Sequence, residues 1–339
     1  MNRKLLFPTL FLVLAMLACT FPVELPPLPT LAPTFAPPYP AGPTVIPAYP
    51  TPTAPAAATS TPLPTAPPTS SAYPPLTPDI LRNSNYTLPG CDGTITHTYQ
   101  LKDGKYQSTA DPASADYILI SMGDQVALGD LNGDGLEDAA VILGVNCGGT
   151  GVFESLIAVL NAGGVTQQIG RDELGDRVQV NSLKIASGQL ALDMLEQGPN
   201  DPLCCPTQPV AQTYRLVEDA LWKTRVTSRS ADNAERIVTI QSPADGEAVS
   251  SPFTVHGSVT IAPFENTLDY RIYLPDGTLV NEYSLSVDSG GIMGGPGTFA
   301  QDFNLSNAGI TGTIILQFLD LSPADGSTLA MGSVVLMVH

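Results

Sequence analysis

Asp130, Asn132, Asp134 and Asp138 place oxygen-bearing side chains along one short run, with Gly133 and Gly135 between them. That set suits a hard divalent cation. Ca²⁺ takes six to eight oxygens, and a glycine makes the sharp turn that lets them converge. The same residues also make a good hairpin turn, because Asn-Gly-Asp-Gly between two apolar runs closes a loop without any ion. The second reactive set is sulfur. Cys91, Cys147, Cys204 and Cys205 lie in the body of the chain and Cys19 near its start. An oxidising compartment pairs an even number of thiols, and four cysteines allow three pairings. Adjacent cysteines close a strained ring. The expected pairing therefore joins Cys91 and Cys147 each to one member of the Cys204-Cys205 doublet, pinning residues 198–208 to a sheet. A metal cluster would compete for these thiols, but no C-x-x-C pair or nearby His supports one. His97, His256 and His339 have no Ser or Cys partner in a nucleophile motif. The Gly-rich run at 290–297 holds no Lys and opens no helix, so it is no phosphate cradle. No catalytic residue is assigned, and the chain is read as a non-enzyme.

The run Asp130-Leu131-Asn132-Gly133-Asp134-Gly135-Leu136-Glu137-Asp138 resembles a calcium loop of the EF-hand or integrin-repeat type. The resemblance implies Asp130, Asn132, Asp134 and Asp138 as side-chain ligands and Leu136 as a carbonyl ligand of Ca²⁺. Val141 stands where an EF-hand has its last Glu, which leaves only the shorter strand-loop-strand version.

Residues 1–19 open with Arg3 and Lys4, continue through an apolar run from Leu5 to Leu17, and end in Met16-Leu17-Ala18-Cys19. The apolar run is too short to span ~30 Å of hydrocarbon comfortably as a helix and reads as a signal peptide. Its end resembles a bacterial lipobox. That implies cleavage before Cys19 and fatty acyl groups such as palmitate on its thiol and new amino group, a stable membrane anchor once two chains are present. Residues 20–82 follow as a disordered Pro/Thr-rich stalk. Of the chain's 33 Pro, 20 lie between Pro22 and Pro78, and such a segment cannot bury enough apolar surface to offset its ordering entropy.

The elements that must position the loop and the cysteines are strands. Residues 83–227 read as an antiparallel β meander. Asp103-Gly104 makes a hairpin turn, and hairpin-length loops at 161–164 and 187–188 separate neighbouring runs. One short helix is expected near residues 112–116. Residues 236–339 hold about seven short strands at regular spacing with turn signals between them, and no Cys, which indicates a β-sandwich. The fold class is mostly β: a meander domain, then an immunoglobulin-like sandwich, after the stalk.

Two resemblances follow. The stretch 126–153, reading G-D-L-N-G-D-G-L-E-D-A-A-V-I-L and then N-C-G-G-T-G, resembles the actinobacterial LppP/LprE-type lipoprotein domain, which implies an envelope lipoprotein and carries no known chemistry. In residues 236–339 the order S-P-x-x-G-x-x-V-x-S-P-x-x-V-x-G, then F-E, G-x-F and D-G-S, resembles the Gmad2 domain, an immunoglobulin-like module of spore-germination and other envelope lipoproteins. It implies binding or scaffolding at the cell surface.

Charge narrows the partners. The net charge of −18, with 14 Lys and Arg against 32 Asp and Glu, excludes nucleic acid, which needs clustered cations. The expected protein is extracytoplasmic and lipid-anchored, with an envelope protein or polysaccharide as partner. Two rivals stand beside that reading: an inhibitor or substrate-capture protein using the Cys204-Cys205 loop, and a cell-wall glycan hydrolase.

Overall fold

The computed structural model describes residues 73–93, 95–306 and 309–339. The signal segment, Cys19 and most of the stalk lie outside the described residues. The first element is helix α1 (Pro78–Arg82), started by Thr77, whose Oγ1 accepts the Ile80 N–H at 3.3 Å. Leu76 and Leu81 are buried, so the chain enters the folded body before residue 82.

The strands of the first half are β1 (Asn85–Pro89), β2 (Thr96–Gln100), β3 (Lys105–Gln107), β4 (Leu119–Gly129), β5 (Asp138–Asn146), β6 (Phe153–Asn161), β7 (Thr166–Asp176), β8 (Gln179–Ala186), β9 (Gln189–Glu196), β10 (Gln208–Val217) and β11 (Ala220–Arg229). The second half adds β12 (Glu235–Arg236), β13 (Val238–Ser242), β14 (Ala248–Val249), β15 (Phe253–Val259), β16 (Thr267–Tyr273), β17 (Leu279–Ser286), β18 (Gly297–Phe303), β19 (Gly312–Leu321) and β20 (Thr328–Val338). Nearly all pairings are antiparallel, and the fold is almost wholly β, as the sequence indicates. The Asp103-Gly104 turn has positive φ at both residues (52° and 81°), the backbone that a tight two-residue hairpin requires.

One sequence expectation changes here, and one strand is new. Residues 112–116 form turns instead of a helix: Asp111 Oδ1 accepts the Ala113 N–H at 3.0 Å, a side-chain bond that competes with helical pairing. β7 has no clear sequence signal. Its run Thr-Gln-Gln-Ile-Gly-Arg-Asp-Glu-Leu-Gly-Asp is polar because the strand is an edge.

Strands β3-β4-β5-β6-β7 form a five-stranded sheet. Its centre, β5, is buried along almost its whole length, because both of its faces are covered. On one face Ala139, Val141, Leu143 and Val145 pack with Leu76, Leu81, Tyr86 and Leu88 from α1 and the β1-β2 hairpin. On the other, Ala140 and Ile142 pack with Leu190, Leu192, Met194, Val210 and Tyr214 from β9 and β10.

Strands β9 and β10 belong to a ten-stranded sheet that does not stop at the end of the first half. Its order is β17-β16-β19-β20-β11-β10-β9-β8, with β12 paired to β11 and β14 to β20. The join is antiparallel, Arg225 opposite Gly332 and Val226 opposite Met331. Past the join the same sheet packs on the three-stranded sheet β13-β15-β18 through Val255, Leu268, Phe299, Phe303, Ile314, Leu316 and Phe318. Two sandwiches therefore share one sheet. Leu319 and Met331, from the second half, sit in the core of the first.

Side chains tie the join further. Arg215 grips Asp245 with both terminal nitrogens, and Asp245 also accepts the Val335 N–H at 2.9 Å. Within the second half, Arg236 on β12, the strand paired to β11, bonds buried Asp320 at 2.8 Å. Trp222 Nε1 donates to the Pro275 carbonyl at 3.2 Å, and its ring packs on Tyr273 with centroids 5.3 Å apart.

Candidate functional site

The loop between β4 and β5 gathers the five residues singled out for calcium. Asp130 accepts N–H bonds from Gly133 at 2.6 Å and Gly135 at 2.9 Å. Asn132 Oδ1 accepts from the Asp134 N–H at 3.0 Å, and Asp134 Oδ1 from the Leu136 N–H at 2.7 Å. Gly133 and Gly135 take φ of 82° and 84°, which other residues rarely adopt. Asp138 is turned inward and fully buried, bonding the Leu131 N–H at 2.8 Å and the Asn161 N–H at 2.9 Å. The oxygens thus hold the turn to itself and to β6. Among the described residues, no three of His, Cys, Asp and Glu converge to hold a metal ion. Burial pushes the Asp138 carboxyl up, and the two amide bonds pull against that shift.

The cysteine pairing departs from the sequence expectation. Cys91 bonds Cys147, with Cα atoms 5.6 Å apart, and Cys204 bonds its neighbour Cys205. The reason is layering. Cys91 follows β1 and Cys147 follows β5, so their bond ties the hairpin layer to the five-stranded sheet, whereas Cys204 and Cys205 sit in the β9-β10 loop of the other sheet.

That loop is pinned by a residue the sequence reading passed over. Asp201 Oδ2 accepts the N–H groups of Gly198 at 2.8 Å and Thr207 at 2.6 Å, and Oδ1 accepts the Thr207 hydroxyl at 2.7 Å. These bonds hold its carboxyl below the usual carboxylate range. The signal was an Asp three residues after a Gly in a Pro-rich turn. Leu203 and the Cys204-Cys205 pair stand exposed at the tip.

A hollow of about 260 Å³ opens beside the Cys91-Cys147 bond, lined by Pro89, Val145, Phe153 and Glu173 among others. Glu154 precedes Ser155 on the β6 stretch that lines it; burial pushes its carboxyl up to about 7. Ser155 lines the same hollow beside Glu154 and Glu173. His97 lies on β2 and His256 on β15, far apart in the topology.

The second sandwich shows why its recurrent residues are what they are. A side-chain carbon on Gly257 would lie 2.2 Å from the Phe299 ring and 2.6 Å from the Thr239 carbonyl, so the close approach of β13, β15 and β18 requires glycine. Asp245 anchors the β13-β14 turn to β20 through the Val335 N–H. Asp325 closes the β19-β20 turn by accepting the N–H and hydroxyl of Ser327. Residues 237–327 match Gmad2, the immunoglobulin-like domain of bacterial spore germination. No curated protein matches the chain. Gmad2 is an immunoglobulin-like family and not a catalytic one, and the match ends inside the β19-β20 turn. Strand β20, which completes the Gmad2 sandwich, is also the strand that joins it to β11.

Proposed function

We propose that this chain is a bacterial cell-envelope lipoprotein that acts as a non-catalytic binding or scaffolding module. In this reading the signal segment is removed before Cys19, and acyl chains on Cys19 hold the protein at the membrane. The Pro/Thr-rich stretch carries the folded residues outward to an envelope protein or a polysaccharide. The observation that carries it is the Gmad2 match at residues 237–327; the lipobox-like Met16-Leu17-Ala18-Cys19 supports the anchor. The shared sheet supports a scaffold, because it presents the Gmad2 loops from a fixed base.

Fractionation of cells making the full chain or its Cys19→Ser variant tests the anchor. The parent is expected with membranes and the variant free of them. Crosslinking on intact cells tests the binding role and is expected to capture a recurrent envelope partner. A parent chain found in the cytosol with reduced thiols, or purified protein that turns over muropeptides, overturns the reading.

A further inference from the structure

One end of the Gmad2 domain turns apolar side chains outward. Met293 is 97% exposed, Ile292 62% and Phe264 61%. They stand on two neighbouring loops that are laced together: the Ala262 N–H donates to the Gly295 carbonyl at 2.7 Å, and the Val287 N–H to the Asn266 carbonyl at 2.8 Å. Each loop is also braced from within. Gly295 bonds back to Ile292 at 3.1 Å, and Asn266 to Pro263 at 3.0 Å. Glu265 and Asn266 both hold φ of 54°, a left-handed backbone that side-chain-bearing residues adopt at a cost. Scattered exposed apolar residues are ordinary, but three large ones on a braced tip mark an interaction surface.

Charge says what the surface meets. Residues 236–339 carry ten Asp and Glu, two Arg and no Lys. Both Arg are engaged, Arg236 with Asp320 and Arg271 with Glu282. Glu265 lies within the tip and Asp288 beside it, both exposed. Such a tip is repelled by anionic lipid and attracted to a protein surface of opposite charge. We propose that the tip formed by Phe264, Ile292 and Met293 docks into a protein partner whose apolar hollow is rimmed by Lys or Arg. The proposal rests on the reading of the chain as a binding module and names the surface and the partner's chemistry.

Panning a library of short random peptides against the immobilised full chain tests it. Recovered peptides are expected to combine Lys or Arg with bulky apolar residues. An Ile292→Ser/Met293→Ser variant, with its melting temperature unchanged, is expected to bind them roughly tenfold or more weakly, as for central interface residues. Glu265→Gln is expected to lose less affinity and to flatten its salt dependence. Recovered peptides that lack basic residues, or that bind both variants as well as the parent, overturn the proposal. So does Met293-dependent binding to phosphatidylglycerol vesicles, or dimerisation of the chain that the double variant abolishes. Failure here with Cys19→Ser still released from membranes removes the tip alone; a parent chain that never reaches membranes, with tip-dependent peptides intact, removes the anchor alone.

Discussion

The core between the five-stranded sheet and β8–β11 and the core of the Gmad2 sandwich lie on one ten-stranded sheet, yet they are secured differently. The first is aliphatic, built from Leu, Val, Met and Ala around Tyr214. A third layer covers the far face of its sheet, and the Cys91-Cys147 bond fastens that layer. The second adds an aromatic cluster to its Val, Leu and Ile: Phe299, Phe303, Phe318 and Tyr270 pack together with ring centroids 5.1 to 6.3 Å apart. It has no disulfide, and its sheet is finished by contact with the first half. The difference teaches that the Gmad2 sandwich leans on its neighbour, while the first half carries its own fastening.

The most severe way to break this comparison is Phe318→Ala, which is expected to cost about 3–5 kcal/mol, as for a large core aromatic. Because the two cores share β11 and β20, calorimetry is expected to show one transition moving down as a whole; two separate transitions would mean that the sandwiches melt independently. Losing the Cys91-Cys147 bond, by Cys91→Ala with Cys147→Ala, is expected to cost roughly 2–4 kcal/mol in denaturant titration, since it closes a long loop. Gly332→Ala strikes the join itself, where the added carbon would lie 2.5 Å from the Val238 carbonyl. Its expected cost is about 1–3 kcal/mol, the usual range for overpacking, again read on a single transition.

A smaller effect has the opposite sign. Burial raises Glu154 from 4.5 to about 7, so the folded state holds its proton across that window while the unfolded state releases it. Stability from this group is therefore present below the unfolded value and declines as pH rises through about 7. Glu154→Gln is expected to raise stability at pH 8 by on the order of 1–2 kcal/mol and to change it little near pH 4, by melting at both pH values. The smallest expected effect is that of calcium. The carboxylate oxygens that accept amides in the β4-β5 loop keep further lone pairs for a cation, so a loop that takes Ca²⁺ is expected to raise the melting temperature as the ion is added. Asp134→Asn is expected to remove that rise; a melting temperature that stays level for the parent removes Asp130, Asn132, Asp134, Leu136 and Asp138 as ligands.

Much of the architecture was legible because it rests on local chemistry. The Asp103-Gly104 turn and the apolar run of β5 each report their own backbone or burial, and the Gmad2 residues follow from close approaches such as Gly257 on Phe299. What stayed hidden depends on which strand lies beside which. Alternation shows which face of β11 or β20 is buried, but nothing in it shows that their edges meet. The same holds for the cysteines: ring strain argued against Cys204-Cys205, but the layer that brings Cys91 to Cys147 is set by β1 and β5. Leu76 and Leu81 were masked by the prolines around them, and Asp201 by a loop whose purpose was credited to sulfur.

The shared sheet has a consequence for how such a protein is inherited and handled. A cassette that can be shuffled between genes needs an outer strand that tolerates water, and here the strand that would become the outer edge is β11 or β20, each of which already has a partner. A protease nick in the five residues between β11 and β12 would leave two fragments that still co-migrate, because their grip on each other does not run through the linker.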